Sequence, residues 1–139
     1  MLISTKGRYA LRVMLDLYQH QGEGYLSLKE VAQRQGISPK YLESIVALLS
    51  RAGLVRSQRG KDGGYRLARS ADAITAADIL RCAEGTLSPV DCPSLRGDDC
   101  GRADHCRTLP LWRQLEAHVT TCLSAVTLEA LARGDLPQP

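Results

Sequence analysis

Three runs of apolar residues at helical spacing open the chain, divided by glycines. In the first, Tyr9, Ala10, Val13, Met14 and Leu17 recur in steps of three and four, the repeat of a helix with one buried face. The spacing predicts a helix over about 6–19, with Thr5 as its N-cap and Gly22 and Gly24 closing it. The second run follows Ser27-Leu28-Lys29-Glu30, the form of a capping box in which a cap serine is answered by a glutamate three residues on. Leu28, Val31 and Ala32 turn inward before Gly36 stops it. The third starts at Ser38-Pro39, a cap serine with proline at the first helical position, where a missing N–H costs nothing. Leu42, Ile45, Val46 and Leu49 form its buried stripe, and Gly53 ends it. Two short helices joined by a tight glycine turn make a helix-turn-helix. The outer face of the second carries Lys40, Tyr41, Glu43 and Ser44, with Arg51 at its end, side chains suited to phosphate and base-edge contacts in a major groove.

The pattern then changes from helical to alternating. Residues 54–58 and 65–67 read as two strands, and Arg59-Gly60-Lys61-Asp62-Gly63-Gly64 as the turn between them. This is a β-hairpin wing directly after a helix-turn-helix. Arg59 and Lys61 at its tip can enter a minor groove or hold phosphates. The turn lacks the Lys-Ser or Lys-Thr ending of a nucleotide-binding loop and does not precede a helix.

Helical spacing returns in the second half. Thr75 caps a segment over 76–84 in which Ile79, Leu80 and Ala83 face inward, and Cys82 reads as a small buried residue. Thr108 and Pro110 open the longest predicted helix, over 108–132. Leu111, Leu115, Val119, Cys122, Val126 and the apolar residues at 128–131 line one side of it. A stripe outside the winged core predicts pairing with a second copy. The expected fold class is mainly α with a small β-wing. Its segments are a winged helix-turn-helix domain over 1–69 (helix-turn-helix about 27–52, wing about 54–67) and a connecting helix over 70–88. A cysteine sensor loop over 89–107, a dimerisation helix over 108–132 and a flexible tail over 133–139 complete it.

Composition narrows the function. There is no Phe and one Trp among 139 residues, so Leu, Val, Ile and Ala must build the core, which favours helices. The net charge of +3 is unevenly placed: residues 1–69 carry twelve Lys/Arg against five Asp/Glu, residues 70–139 six against ten. A basic first half fits a polyanion partner. The opening residues lack a signal-peptide pattern and no stretch has the length of a membrane span; a cytoplasmic protein with no membrane partner is expected. His20, His105 and His118 fall in three separate elements and no histidine or carboxylate pair sits beside a plausible nucleophile, so neither an enzyme nor a small-molecule substrate is expected.

The remaining chemistry lies in residues 89–107. Cys92, Cys100 and Cys106 are spaced by seven and five residues among Gly, Asp and Pro. With few apolar residues, such a loop needs a ligand, a disulfide or a partner surface to order it. Five cysteines in a reducing compartment favour metal or redox chemistry over structural disulfides. The spacing matches neither zinc fingers nor ferredoxins, yet three thiolates can converge on an iron–sulfur cluster, zinc or Cu(I). Arg96, Arg102 and Arg107 would favour the thiolate form.

The chain resembles the Rrf-two family of bacterial winged helix-turn-helix transcription regulators. The residues that carry the resemblance run from Ile3 to Arg12, then Gly36-Ile37-Ser38 with Lys40-Tyr41-Leu42-Glu43, and Ala52-Gly53-Leu54-Val55. They continue with Arg59-Gly60 and Gly63-Gly64-Tyr65 of the wing, Leu67, Ile74-Thr75, Ile79-Leu80 and Glu84-Gly85. The resemblance implies a homodimer on a double-stranded DNA operator, acting as a repressor. The candidate DNA-contact residues are Ser38, Pro39, Lys40, Tyr41, Glu43, Ser44, Arg51, Arg59, Gly60 and Lys61. Ser38 to Ser44 would read the major groove and Arg59 the minor groove.

It also implies an iron–sulfur cluster, [2Fe–2S] or [4Fe–4S], on Cys92, Cys100 and Cys106, one that aerobic purification can remove. The fourth ligand stays open. Positions that supply it in relatives hold Leu109 and Arg8 here; Glu43, His105 and the loop aspartates Asp98, Asp99 and Asp104 are the candidates. The signal would be iron, cluster status, oxygen or nitric oxide. The alternatives of the same fold are a cluster-free regulator responding to thiol oxidation or sulfur metabolism, a zinc-bound loop, and control by a metabolic-enzyme partner.

Overall fold

Short polar side chains set where the helices begin. The computed structural model describes residues 3–22 and 24–138; Met1, Leu2, Glu23 and Pro139 of the expected segments lie outside them. Helix α1 (Thr5–His20) is capped by Ser4, whose hydroxyl accepts from the Gly7 N–H. The cap therefore falls one residue before the expected Thr5. Helix α2 (Leu28–Gln35) has the full capping box of Ser27 and Glu30 and ends on Gly36 in the left-handed conformation. Ser38 caps α3 (Pro39–Arg51), and Thr75 with Asp78 makes a second capping box at α4 (Ala76–Glu84).

The faces read from the spacing do meet. Val13, Met14 and Leu17 of α1, Val31 of α2 and Leu42, Ile45, Val46 and Leu49 of α3 are all buried, joined by Leu54, Ile74, Ile79 and Leu128. One buried carboxylate lies beside them: Asp16 of α1, 2% exposed. Arg34 of α2 grips it through Nε at 3.0 and 3.2 Å and Nη2 at 2.6 Å, and Gln35 donates at 2.8 Å. This fork fixes the angle between α1 and α2.

Strands β1 (Val55–Gln58) and β2 (Gly64–Leu67) pair antiparallel, Val55 opposite Leu67 and Gln58 opposite Gly64. Leu26, just before α2, extends this sheet by one residue through two bonds of 2.8 Å with Tyr65. Gly64 makes that approach possible. Its φ is +147°, and a Cβ there would lie 2.3 Å from the Leu26 carbonyl oxygen. Gln21, just past the end of α1, accepts from the Leu67 N–H at 2.8 Å, so the wing is tied to the helical core from two sides.

The C-terminal half differs from the expected single helix over 108–132. Helix α6 (Leu109–Ser124) stops, and α7 (Leu128–Arg133) starts afresh with Thr127 as cap. Between them the backbone pairs with the segment before α4: Ala76 N–H donates to Val126 and Leu128 N–H to Ile74, both at 2.8 Å. Leu128, assigned from its spacing to an outward stripe, is instead 1% exposed in the core. The loop also contains more regular structure than its composition suggested: a one-turn helix α5 (Pro93–Arg96) and a 3-10 turn at Ala103–His105.

Candidate nucleic-acid interface and cysteine loop

Helix α3 and the wing tip present the basic residues outward. Ser38, Pro39, Lys40, Glu43, Ser44 and Arg51 are exposed on α3, as are Arg59, Gly60 and Lys61 at the turn of the wing. Two of the hydroxyls have local duties as well. Ser38 accepts from the Tyr41 N–H at 3.2 Å, and Ser44 donates to the Tyr41 carbonyl at 2.7 Å. Tyr41 departs from the expected outward position. It is half-buried, its ring edge-on to Tyr9 with centroids 5.9 Å apart. Arg12 lies 4.9 Å over the Tyr9 ring and bonds Gln35 through Nε at 2.9 Å. Tyr41 therefore joins the head of α3 to α1 by an aromatic pair.

The cysteine loop is held by short-range bonds. Cys92 offers its carbonyl to the N–H groups of Leu95 and Arg96, and Cys100 its carbonyl to Ala103 at 2.8 Å. Arg96 pairs with Asp91 and with Asp98, the latter at 3.1 Å. The guanidinium expected to face the sulfurs is thus engaged by loop carboxylates. Cys92, Cys100 and Cys106 are all free and half-exposed. Among the described residues no group of three or more His, Cys, Asp or Glu side chains is placed to hold a metal ion. The three thiols of this conformation therefore do not fit a shared cluster. Of the proposed fourth ligands, Glu43 is exposed on α3 and His105 is exposed in the 3-10 turn. His105 and Cys106 share a shallow cleft with Asp104 and Arg107.

Cys106 has a chemistry of its own. Its sulfur lies 3.3 Å from the Thr108 hydroxyl. That hydroxyl, then the backbone N–H groups of Thr108 and Leu109 at the head of α6, pull its thiol below the ordinary range. The expected arginines are not among the causes of this shift. Thr108 is a neighbour of this sulfur that the sequence pattern does not disclose: its place suggests a cap, but its side chain makes no cap bond. Cys82 behaves oppositely, since burial pushes its thiol up against the opposing pull of Arg51 and Lys6.

A capped two-helix unit with an exposed basic second helix, followed by a glycine-turned wing, defines a winged helix-turn-helix DNA-binding regulator. The family model described as Rrf2, "Iron-dependent Transcriptional regulator", matches residues 3–134. The chain belongs to that family. The transcriptional regulator CymR of Bacillus subtilis is 45% identical over 132 residues, 95% of this chain and 90% of CymR. The solved structure of CymR, the global cysteine regulator of B. subtilis, superposes with a TM-score of 0.78 at 44% identity, over 96% of this chain and 98% of that one. The oxidized form of Staphylococcus aureus CymR gives 0.72 at 39% identity, over 95% and 96%. The regulator IscR of Xenorhabdus nematophila is 38% identical over 134 residues, 96% of this chain and 80% of IscR. Members of the family are regulators rather than enzymes, in line with the sequence reading. Among the described residues no helix is long and apolar enough to cross a membrane.

Proposed function

We propose that this chain is a homodimeric, operator-binding repressor whose DNA affinity follows the redox state of its loop thiols, without an iron–sulfur cluster. The observation that carries the reading is Cys106: a half-exposed sulfur 3.3 Å from the Thr108 hydroxyl, which with the first amides of α6 lowers its thiol from the ordinary value. Similarity to a global cysteine regulator and to an oxidized form of CymR supports a thiol or sulfur signal. In the dimer, Ser38 to Ser44 of each α3 enter successive major grooves about 34 Å apart, with Arg51, Gly60 and Lys61 on phosphates and Arg59 in the minor groove.

The Cys106 thiolate attacks a peroxide oxygen. The O–O bond breaks, sulfur becomes a sulfenic acid and hydroxide leaves. Cys100 or Cys92 then attacks that sulfur, forming a disulfide and releasing water. The new bond draws Cys106 away from Thr108 and the head of α6. Upstream, the same segment leads from α4, whose Glu84 accepts from the Ser4 N–H at 3.0 Å and the Ser4 hydroxyl at 2.7 Å. The loop thus strains α4 and α6 against the reading head. An operator selected from random duplexes by the reduced protein tests this. Peroxide should weaken binding tenfold or more, dithiothreitol should restore it, and Cys106→Ser should be insensitive. Unchanged wild-type affinity after peroxide overturns the reading.

A second reading is favoured by three thiols within one short loop and by the iron-dependent description of the family model. It is a cluster on Cys92, Cys100 and Cys106, with Glu43 or His105 as fourth ligand, and it requires the loop to refold around the cluster. Protein made and purified without oxygen separates the two. A brown product that Cys100→Ala bleaches supports the cluster, whereas a colourless product with an intact peroxide response supports the thiol switch.

A further inference from the structure

We propose that two copies of α6 build a zinc site from His118 and Cys122 of each protomer. Leu111, Leu115, His118, Cys122 and Ala125 follow one another in steps of four, three, four and three, the repeat of a seam between two paired helices. All five are exposed in the single chain. An imidazole and a thiol thus stand in the middle of a row that is otherwise apolar. Four residues apart on a helix, they lie one turn above each other with Cβ atoms about 5–6 Å apart, close enough for one metal ion to take both. His118 is also oriented for ligation. Its Nδ1 lies 2.7 Å from the Gln114 carbonyl oxygen. A carbonyl only accepts, so Nδ1 carries the proton and the Nε2 lone pair is left for a metal.

Both side chains line one cleft of about 630 Å³, together with Thr121, Ala125 and the tail residues Pro137 and Gln138. The small side chains at 121 and 125 let a second helix approach, and that helix takes the place of the tail on this face. One protomer offers two ligands, fewer than a zinc ion takes. A two-fold axis through the middle of the row brings the two pairs together as two thiolates and two imidazoles, the tetrahedral donor set that suits Zn²⁺. The thiols bind as thiolates, so two protons leave for each ion bound. The site is incomplete without the second copy and therefore rests on the proposed homodimer with α6 as its seam. It is separate from Cys92, Cys100 and Cys106, which precede α6. A metal on the axis fixes how the two copies of α6 cross, and with that the spacing of the reading heads.

The test uses the full chain with Cys92→Ser, Cys100→Ser and Cys106→Ser, kept reduced by a phosphine under argon so that the loop thiols take no metal. Cobalt(II) is titrated in as a coloured stand-in for zinc, and sedimentation is run in EDTA and in zinc. The site predicts the visible bands of tetrahedral cobalt with thiolate-to-metal charge transfer, saturating at one ion for two chains and bleached by zinc. Adding Cys122→Ser or His118→Ala should abolish them. Zinc should tighten the dimer roughly tenfold or more by binding only the paired form, and neither added variant should respond. If the triple variant does not fold, the zinc content of the wild type is compared with that of Cys122→Ser alone and His118→Ala alone, each of which should hold half an ion per chain less. A dimer in EDTA that gives no tetrahedral cobalt spectrum overturns the zinc site and leaves the homodimer standing. A chain that stays monomeric in both EDTA and zinc overturns both. Saturation at one ion per chain, bands that survive Cys122→Ser, or a wild type whose zinc content matches both single variants overturns the shared site.

Discussion

Asp16 is a carboxylate whose side chain is 1% exposed, and burial by itself would raise its ionisation point. The hydrogen bonds from Arg34 and Gln35, with the charges of Arg34 and His20, outweigh burial and hold it below the usual carboxylate range. In the unfolded chain it returns to the ordinary value. The stabilisation is therefore complete above that ordinary value and is lost as pH falls from there through the lower folded value, because the unfolded state binds the proton first. Asp16→Asn should cost about 2–3 kcal/mol at neutral pH, less than a fully buried pair because the Arg34 side chain keeps 31% exposure. In urea melts it should also flatten the loss of stability as pH falls below about 4, the ordinary carboxylate value. At Cys106 the shift likewise has an identified cause. Thr108→Val removes the hydroxyl, so iodoacetamide should label Cys106 more slowly at neutral pH and reach half its maximal rate at higher pH than in wild type. Cys82, shielded by burial, should label last in both proteins.

At the scale of elements, two tertiary bonds decide what local pattern could not. Leu128→Ala empties a core position and should cost about 2–5 kcal/mol, whereas the outward stripe expected for this residue would leave stability nearly unchanged; a denaturant midpoint separates the two. Helix starts at Ser27, Ser38 and Thr75 were legible because a cap is a local event, made by a side chain and an amide within three residues. The break after Ser124 was not legible. Apolar residues continue through Val126 and Leu128 at helical spacing, and what stops the helix is pairing with residues about fifty positions earlier, at Ile74 and Ala76. Tyr41 shows the same limit, since its helical phase is outward while its ring packs edge-on to the distant Tyr9 and against the core. The loop was legible as chemistry but not as geometry. Cysteine spacing names possible ligands, while the partners of Arg96 and the hydroxyl on Cys106 are set by turns that composition does not encode. In the wing, Gly64→Ala drives a Cβ into the Leu26 carbonyl and should cost more than about 1 kcal/mol, with lost DNA affinity if the hairpin shifts.

For the whole molecule, the consequence of the broken C-terminal helix is a division of labour. α7 is committed to its own chain through Leu128, which leaves α6 with an uncovered apolar face. Leu111 is 55% and Leu115 41% exposed, the large apolar side chains most open to solvent before the tail. Val119 is half-buried and Cys122 is exposed on the same helix. A solvent-facing row of this kind marks an interaction surface, and in the proposed dimer a two-fold axis sets one α6 against the other. The exposed row lies on α6 and does not run on as one helix to residue 132. Leu111→Lys with Leu115→Lys places like charges across the axis without touching the core. Sedimentation should show the wild type as a dimer and the double variant as a monomer, with helix content by circular dichroism preserved. Because each half-site then binds alone, affinity for a palindromic operator should fall at least a hundredfold while binding to a single half-site stays the same. A variant that remains dimeric at micromolar concentration would move the interface off α6, and with it the route by which the adjoining cysteine loop reaches both reading heads at once.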